Sequence, residues 1–207
     1  MLFQYNLIQF LLLSFLPSTS ILIANILLII TAQRNRKENQ KFYLFSKVGV
    51  INIIWLFLYP NFLLMMVIII IDPWFYFAIT SQINLIVSDA ISLVTYGVYF
   101  MKIGYSDPSD AKKLLKISGI IWMVTLNIFF IVDYMVLYIP PASSLTFIIF
   151  TSIITLYIIL ISARILFLIY SIKIKDKRLI AAAILLLIAT FFGVEISNLS
   201  FLLTGGF

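Results

Sequence analysis

The chain has 207 residues, of which 63% are hydrophobic and only 11% charged, against roughly 25% charged in a soluble globular domain. Mean hydropathy is +1.16, more apolar surface than a water-soluble fold hides when about a third of its chain still faces water. This composition excludes a soluble enzyme, a disordered chain and a nucleic-acid-binding domain, and the absence of His and Cys removes imidazole catalysis, thiol nucleophiles, thiolate metal sites and disulfides.

Long apolar stretches predict six membrane-spanning helices, since a bilayer needs about 20 apolar residues per helix. In chain order they cover 7–32, with Pro17 bending the first turns, 42–71, containing Pro60, and 74–101. The remaining three cover 114–138, 145–171 and 179–203. Asp72-Pro73 separates the second helix from the third. The run Pro140-Pro141-Ala142-Ser143-Ser144 separates the fourth from the fifth. The expected fold class is therefore all-α: a single polytopic transmembrane bundle.

The basic residues fall into three clusters. Arg34, Arg36, Lys37, Lys41 and Lys47 form one. Lys102, Lys112, Lys113 and Lys116 form the second, and Lys173, Lys175, Lys177 and Arg178 the third. All three occupy loops on one side, and the other side has none. The positive-inside rule makes these loops cytoplasmic and both termini external. The net charge of +6 is then orientation and attraction to anionic headgroups, about 1 kcal/mol per Lys or Arg near the surface. Partners are the lipid bilayer and a membrane protein or a second copy in a homodimer, with no nucleic acid. The location is the cell membrane. The first segment lacks a basic n-region and its apolar run is long for a signal peptide, so it is expected to be retained.

The informative residues are the charges within the spans. Asp89 lies near the middle of the third helix, and Gln82, Asp89 and Tyr96 share one stripe at seven-residue spacing, with Ser92 at its edge. Such a stripe faces other helices or water. Two readings stand: an ion, proton or ligand site, or interhelical hydrogen bonding by a protonated Asp, since desolvation favours the neutral carboxyl. Glu195 has Asn198 at i+3, and it too reads as a polar site or a packing contact. On the same helix Ala189, Gly193 and Ser197 make a small-residue face suited to close packing. Arg164 is the only basic residue inside a span. It reads either as the partner of Asp89, about 5–8 Å away in depth, or as a side chain reaching the inner headgroups. Asp133 lies near the outer surface and reads as an interfacial carboxylate. Motifs of membrane enzymes are missing: no paired-Asp phosphotransfer cluster, no GxSxG with a His, no HExxH. No Lys stands in the last helix to hold retinal. No enzymatic activity and no cofactor or metal are expected.

The strings ILIANILLIITAQRNRK, KFYLFSKVGVINIIW and PWFYF resemble the start of the seven-helix N-terminal membrane domain of sensor histidine kinases. The matching positions are Arg34, Phe42, Phe45, Trp55 and Trp74, within about residues 22–100. The resemblance implies a sensor-like membrane domain with an external N-terminus. It departs from the family in carrying neither a seventh helix nor a kinase domain, which implies a stand-alone sensor. The leading expectation is a non-enzymatic sensor-like or accessory protein that binds a small or lipophilic ligand, or a partner membrane protein, within its bundle. The alternatives are a small ion- or proton-coupled transporter using Asp89 and Glu195, and a structural subunit of a membrane complex. A water path linking Asp89 to alternating surfaces favours transport, and a closed or one-sided pocket favours sensing.

The orientation is directly testable because the native chain has no Cys. A Cys placed at Ser109 should resist an impermeant thiol reagent added outside intact cells. Labelling there reverses the orientation.

Overall fold

The computed structural model describes residues 16–34, 43–58, 73–107, 109–138 and 146–191. Among them it is all-α, with six helices and no strand. They are α1 (Leu16–Arg34), α2 (Tyr43–Leu58), α3 (Pro73–Ser106), α4 (Lys112–Tyr138), α5 (Thr146–Ile174) and α6 (Lys177–Phe191). Helix α3 runs five residues beyond the expected end at Met101, so the α3–α4 connection shrinks to residues 107–111. The expected helical stretches 7–15, 59–71 and 192–203 lie outside the described residues.

Each helix packs on its neighbour in sequence, and α6 closes on α1. The result is a closed ring. Phe45 near the start of α2, Phe100 near the end of α3 and Phe167 near the end of α5 meet at its centre. Their ring centroids are 6.0 Å (Phe45–Phe100), 4.6 Å (Phe100–Phe167) and 6.2 Å (Phe45–Phe167) apart. This contact brings the three ends that carry the basic clusters to one end of the ring. The aromatic cluster plugs the interior there.

Two connections at this end have identifiable locks. In the α3–α4 loop, Asp107 Oδ1 accepts from Ser109 N at 2.8 Å and Asp107 Oδ2 accepts from Ser109 Oγ at 2.8 Å, the local side-chain turn typical of Asp. Tyr170 Oη also donates to Asp107 Oδ2, at 2.9 Å, tying α5 to this loop. Between α5 and α6 the chain reverses over Lys175 and Asp176. Lys175 takes φ 60°, the left-handed conformation that ends many helices. Asp176 Oδ1 then caps α6 by accepting from Arg178 N and Leu179 N at 2.9 and 3.3 Å, satisfying otherwise orphaned amides.

Residue type sorts by side. Leu, Ala and aromatic side chains fill the interior: Leu28, Phe45, Leu115, Trp122, Ala163 and Leu186 are all fully or almost fully buried. The exterior is mostly isoleucine, with Ile23, Ile54, Ile120, Ile158 and Ile184 exposed on five different helices. One described segment, Ile154–Ile174, is long and apolar enough to cross a membrane. Its 21 residues reach about 31 Å at 1.5 Å per residue, the thickness of a hydrocarbon core. Thr19–Arg34 and Tyr43–Ile54 are apolar but shorter.

Helices α3 and α4 approach through glycine. A Cβ on Gly119 would stand 2.6 Å from Met101 N and 2.7 Å from Gly97 O, both backbone atoms. Neither can yield without moving a helix. Gly104 faces Lys116 in the same way, with 2.6 Å to its amide N. The small-residue face expected on α6 is described only at Ala189, which is buried; Gly193 and Ser197 lie outside the described residues.

Gly119→Ala should therefore destabilise the bundle by about 1–3 kcal/mol, the usual scale of overpacking. The exposed Ile23→Val should change little. Thermal unfolding in detergent reads both, and equal midpoints for the two variants would refute close α3–α4 packing.

Candidate functional site

Above the aromatic plug, away from the basic end, the interior turns polar. Asn25 on α1 is buried. Its Nδ2 donates to Ile21 O of its own helix at 2.8 Å, and its Oδ1 accepts from Tyr96 Oη at 2.9 Å. This bond crosses the ring, because α2 stands between α1 and α3 in sequence order. The Tyr96 ring stacks on Trp122 of α4, centroids 4.9 Å apart and planes inclined 24°. Trp122 in turn carries the Arg164 guanidinium of α5, whose Cζ lies 5.2 Å from the ring centroid, within cation–π range. Arg164 Nη1 donates to Leu186 O and to Thr190 Oγ1 on α6. Thr190 Oγ1 donates to Leu186 O at 3.0 Å. Tyr96 also packs edge-on against Phe100 at 5.5 Å, which links the ladder to Phe45 on α2. Every helix of the ring thus contributes to one contiguous series of contacts.

Local sequence explains each position. Arg164 sits one turn before Phe167 and two before Ser171, all buried, so it shares the inward stripe of α5. Ser118, one turn before Trp122, donates through Oγ to Ala163 O at 2.7 Å. That bond sets the α4–α5 register and holds Trp122 beside Arg164. The Trp122 Nε1–H is buried and has no hydrogen-bond partner among the described residues. A buried indole donor usually finds one, so its neighbourhood suits an acceptor oxygen. Among the described residues no group of three Asp, Glu, His or Cys could hold a metal ion.

Of the residues singled out from sequence, the structure brings Tyr96 and Arg164 together, on either side of Trp122 in the contact series. The Arg164 head engages α6 and the indole inside the ring, and the residue is only 9% exposed. Gln82 and Asp89 belong to α3, fourteen and seven residues before Tyr96, and their side chains lie outside the described set. Glu195 and Asn198 lie outside the described residues altogether, and Asp133 is described only as part of α4. The pairing of Arg164 with Asp89 falls there too. Sequence reasoning missed Asn25, Trp122 and Thr190. The signal for Asn25 was present: an amide isolated in the apolar run Ile21–Ile30 asks for a partner in hydrocarbon.

No protein-family model, curated protein or solved structure matches this chain.

Tyr96→Phe and Asn25→Ala each remove the bond across the ring, and each should lower stability by about 1–2 kcal/mol, the upper scale for interhelical hydrogen bonds in membranes. The double variant should cost little more than the larger single effect, because either change already abolishes the bond. Strictly additive losses in detergent unfolding would show that the two residues act separately.

Proposed function

We propose that the chain is a multi-pass membrane protein whose six helices cross the bilayer as a ring, basic end in the cytoplasm. It serves as a non-enzymatic sensor-like or accessory protein that holds a small or lipophilic ligand against the Arg164–Trp122–Tyr96 level. One observation carries this: the polarity of the ring is inside out. Asn25, Tyr96, Ser118, Arg164 and Thr190 are buried among helices while isoleucines cover the outside. In water that arrangement exposes a continuous apolar surface far beyond what soluble monomers tolerate. In hydrocarbon it is the expected one, with ionisable groups facing the bundle interior.

Two features favour sensing over transport. Phe45, Phe100 and Phe167 close the ring beneath Arg164, so a path from the basic end has to displace aromatic rings from three helices. The Trp122 Nε1–H, without a partner among the described residues, belongs to the ring that carries the Arg164 guanidinium, a setting that suits a ligand bearing an acceptor oxygen. Phe45, one of the residues that resemble the sensor domains of histidine kinases, is a member of this plug, so the part of the chain carrying that resemblance takes part in the site.

The test is purification in mild detergent with mass-spectrometric identification of retained small molecules. A bound species bearing an oxygen acceptor, retained by the native chain and depleted in Trp122→Phe, is the expected result. Reconstitution into liposomes with an internal pH dye supplies the opposing outcome: proton flux that Asp89→Asn abolishes would replace sensing with transport.

A further inference from the structure

Polarity on the outer surface is uneven. The outward ridge of α1 is Ile23, Ile26 and Ile30, and that of α2 continues through Val50 and Ile54. The exposed hydroxyls of Thr155 and Ser162 on α5 are satisfied by their own helix: Thr155 Oγ1 donates to Thr151 O and Ser162 Oγ to Ile158 O, both at 2.8 Å. The ridge of α4 differs. It runs Ile117, Ile120, Val124 and then Asn127, all exposed. Asn127 Nδ2 donates to Met123 O at 2.9 Å, and its Oδ1 accepts nothing among the described residues. Asn127 lies fifteen residues beyond Lys112, about 22 Å along the helix at 1.5 Å per residue. In a membrane-spanning ring that depth is hydrocarbon, where lipid tails offer an amide no partner.

A groove lies alongside. Ala90, Ile91, Val94 and Thr95 of α3 and Leu126 of α4 line an open cavity of about 220 Å³. The close approach of Gly119 to Gly97 and Met101 fixes the α3–α4 register and places Asn127 level with this groove.

We propose that the outward ridge of α4 is the contact face of a homodimer, with Asn127 paired to its own counterpart. The argument for a second copy is hydrogen-bond complementarity. An amide carries both donor and acceptor, so it is complementary to itself. Two copies inserted in the same orientation are related by a twofold axis along the membrane normal, and on such an axis each residue meets its equivalent at the same depth. Asn127 of each copy then donates to Oδ1 of the other, which satisfies the acceptor left open in one chain. Ile120 and Val124 supply the apolar contacts below it, and the α3–α4 groove gives the second copy's side chains room. The proposal rests on the membrane-spanning reading above and names the partner it left open.

The test uses the full chain in native membranes. With no native Cys, Val124→Cys gives a single thiol on the ridge and Ile23→Cys a control on the far side of the ring. Under mild oxidation Val124→Cys should form a disulfide dimer on a non-reducing gel, and Ile23→Cys should not. In lipid bilayers, Asn127→Leu should weaken dimerisation measured by energy transfer about tenfold, while Asn127→Gln retains it. Unchanged thermal stability of the Leu variant confirms that the ring itself is intact. Equal cross-linking at positions 124 and 23, or a Leu variant that dimerises like the native chain, overturns the dimer. Extraction of the native chain from membranes by alkaline carbonate overturns the membrane reading and the dimer together, whereas a monomer that resists extraction overturns the dimer alone.

Discussion

The structure turns on a guanidinium held inside a ring of apolar helices. A charge away from water is costly unless hydrogen bonds and polarisable neighbours replace its hydration shell. Here the replacement comes from two neighbouring helices. Leu186 O and Thr190 Oγ1 of α6 accept from Arg164 of α5, and the Trp122 ring of α4 lies beneath it. Arginine suits this role better than lysine, because its planar, weakly hydrated head stacks on an aromatic face while still donating in its own plane. The consequence reaches further than the contact itself. Trp122 must be level with Arg164, so α4 and α5 must hold one register, and the Ser118–Ala163 bond sets it. Tyr96 stacks on the same indole and reaches Asn25, so α3 and α1 are fixed in depth as well.

The division of residue types follows from the same constraint. Branched isoleucine covers the outside, where nothing interdigitates with it in one fixed geometry. Leucine, alanine and the aromatics fill the inside, where shape decides packing. Ala182 and Ala183 are fully buried, and glycine lies where backbones come close, as at the Gly97–Gly119 contact. Such close packing and the interior hydrogen bonds join neighbouring helices directly. Among the described residues, buried aromatics meet at the basic end, where lysines also fold back over tyrosines, Lys47 on Tyr43 at 5.3 Å and Lys116 on Tyr105 at 4.1 Å.

Much of the helical framework was legible in the sequence, because apolar run length and basic clusters carry it. The runs around Leu22–Ala32 and Ile154–Ser171 are helical in the structure, and the lysines do mark one end of the ring. Boundaries at that end were less legible. Helix α3 continues through Lys102 to Ser106 since nothing in Ile103-Gly104-Tyr105 stops it, and Asp107 ends it by binding Ser109. The interior ladder was only half visible. Arg164 and Tyr96 stood out as polar groups in apolar surroundings, whereas Trp122 looked like one more bulky apolar residue. Its role depends on which helix faces which, and that is set by ring closure between α6 and α1, a contact between residues far apart in sequence. Among the described residues the guanidinium meets a carbonyl, a hydroxyl and an indole, while the side chains of the carboxylates singled out from sequence, Asp89 and Glu195, lie outside the described set.

Ring closure also explains why a small all-α chain can keep so many polar groups inside. In an open row of helices the two end helices each present a free flank, and an arginine near either one loses neighbours on that side. Closing α6 on α1 removes both flanks and gives every helix two neighbours. Each inward stripe then meets partners from across the ring as well as beside it, as Asn25 meets Tyr96 and Phe45 meets Phe167. The interior becomes a separate compartment, apolar and plugged at the basic end, polar one turn above. A ligand or proton reaching Arg164 from the basic end must displace Phe45, Phe100 and Phe167 together. Those rings belong to α2, α3 and α5, and Tyr96 packs on Phe100, so the plug and the Arg164 level form one packed interior.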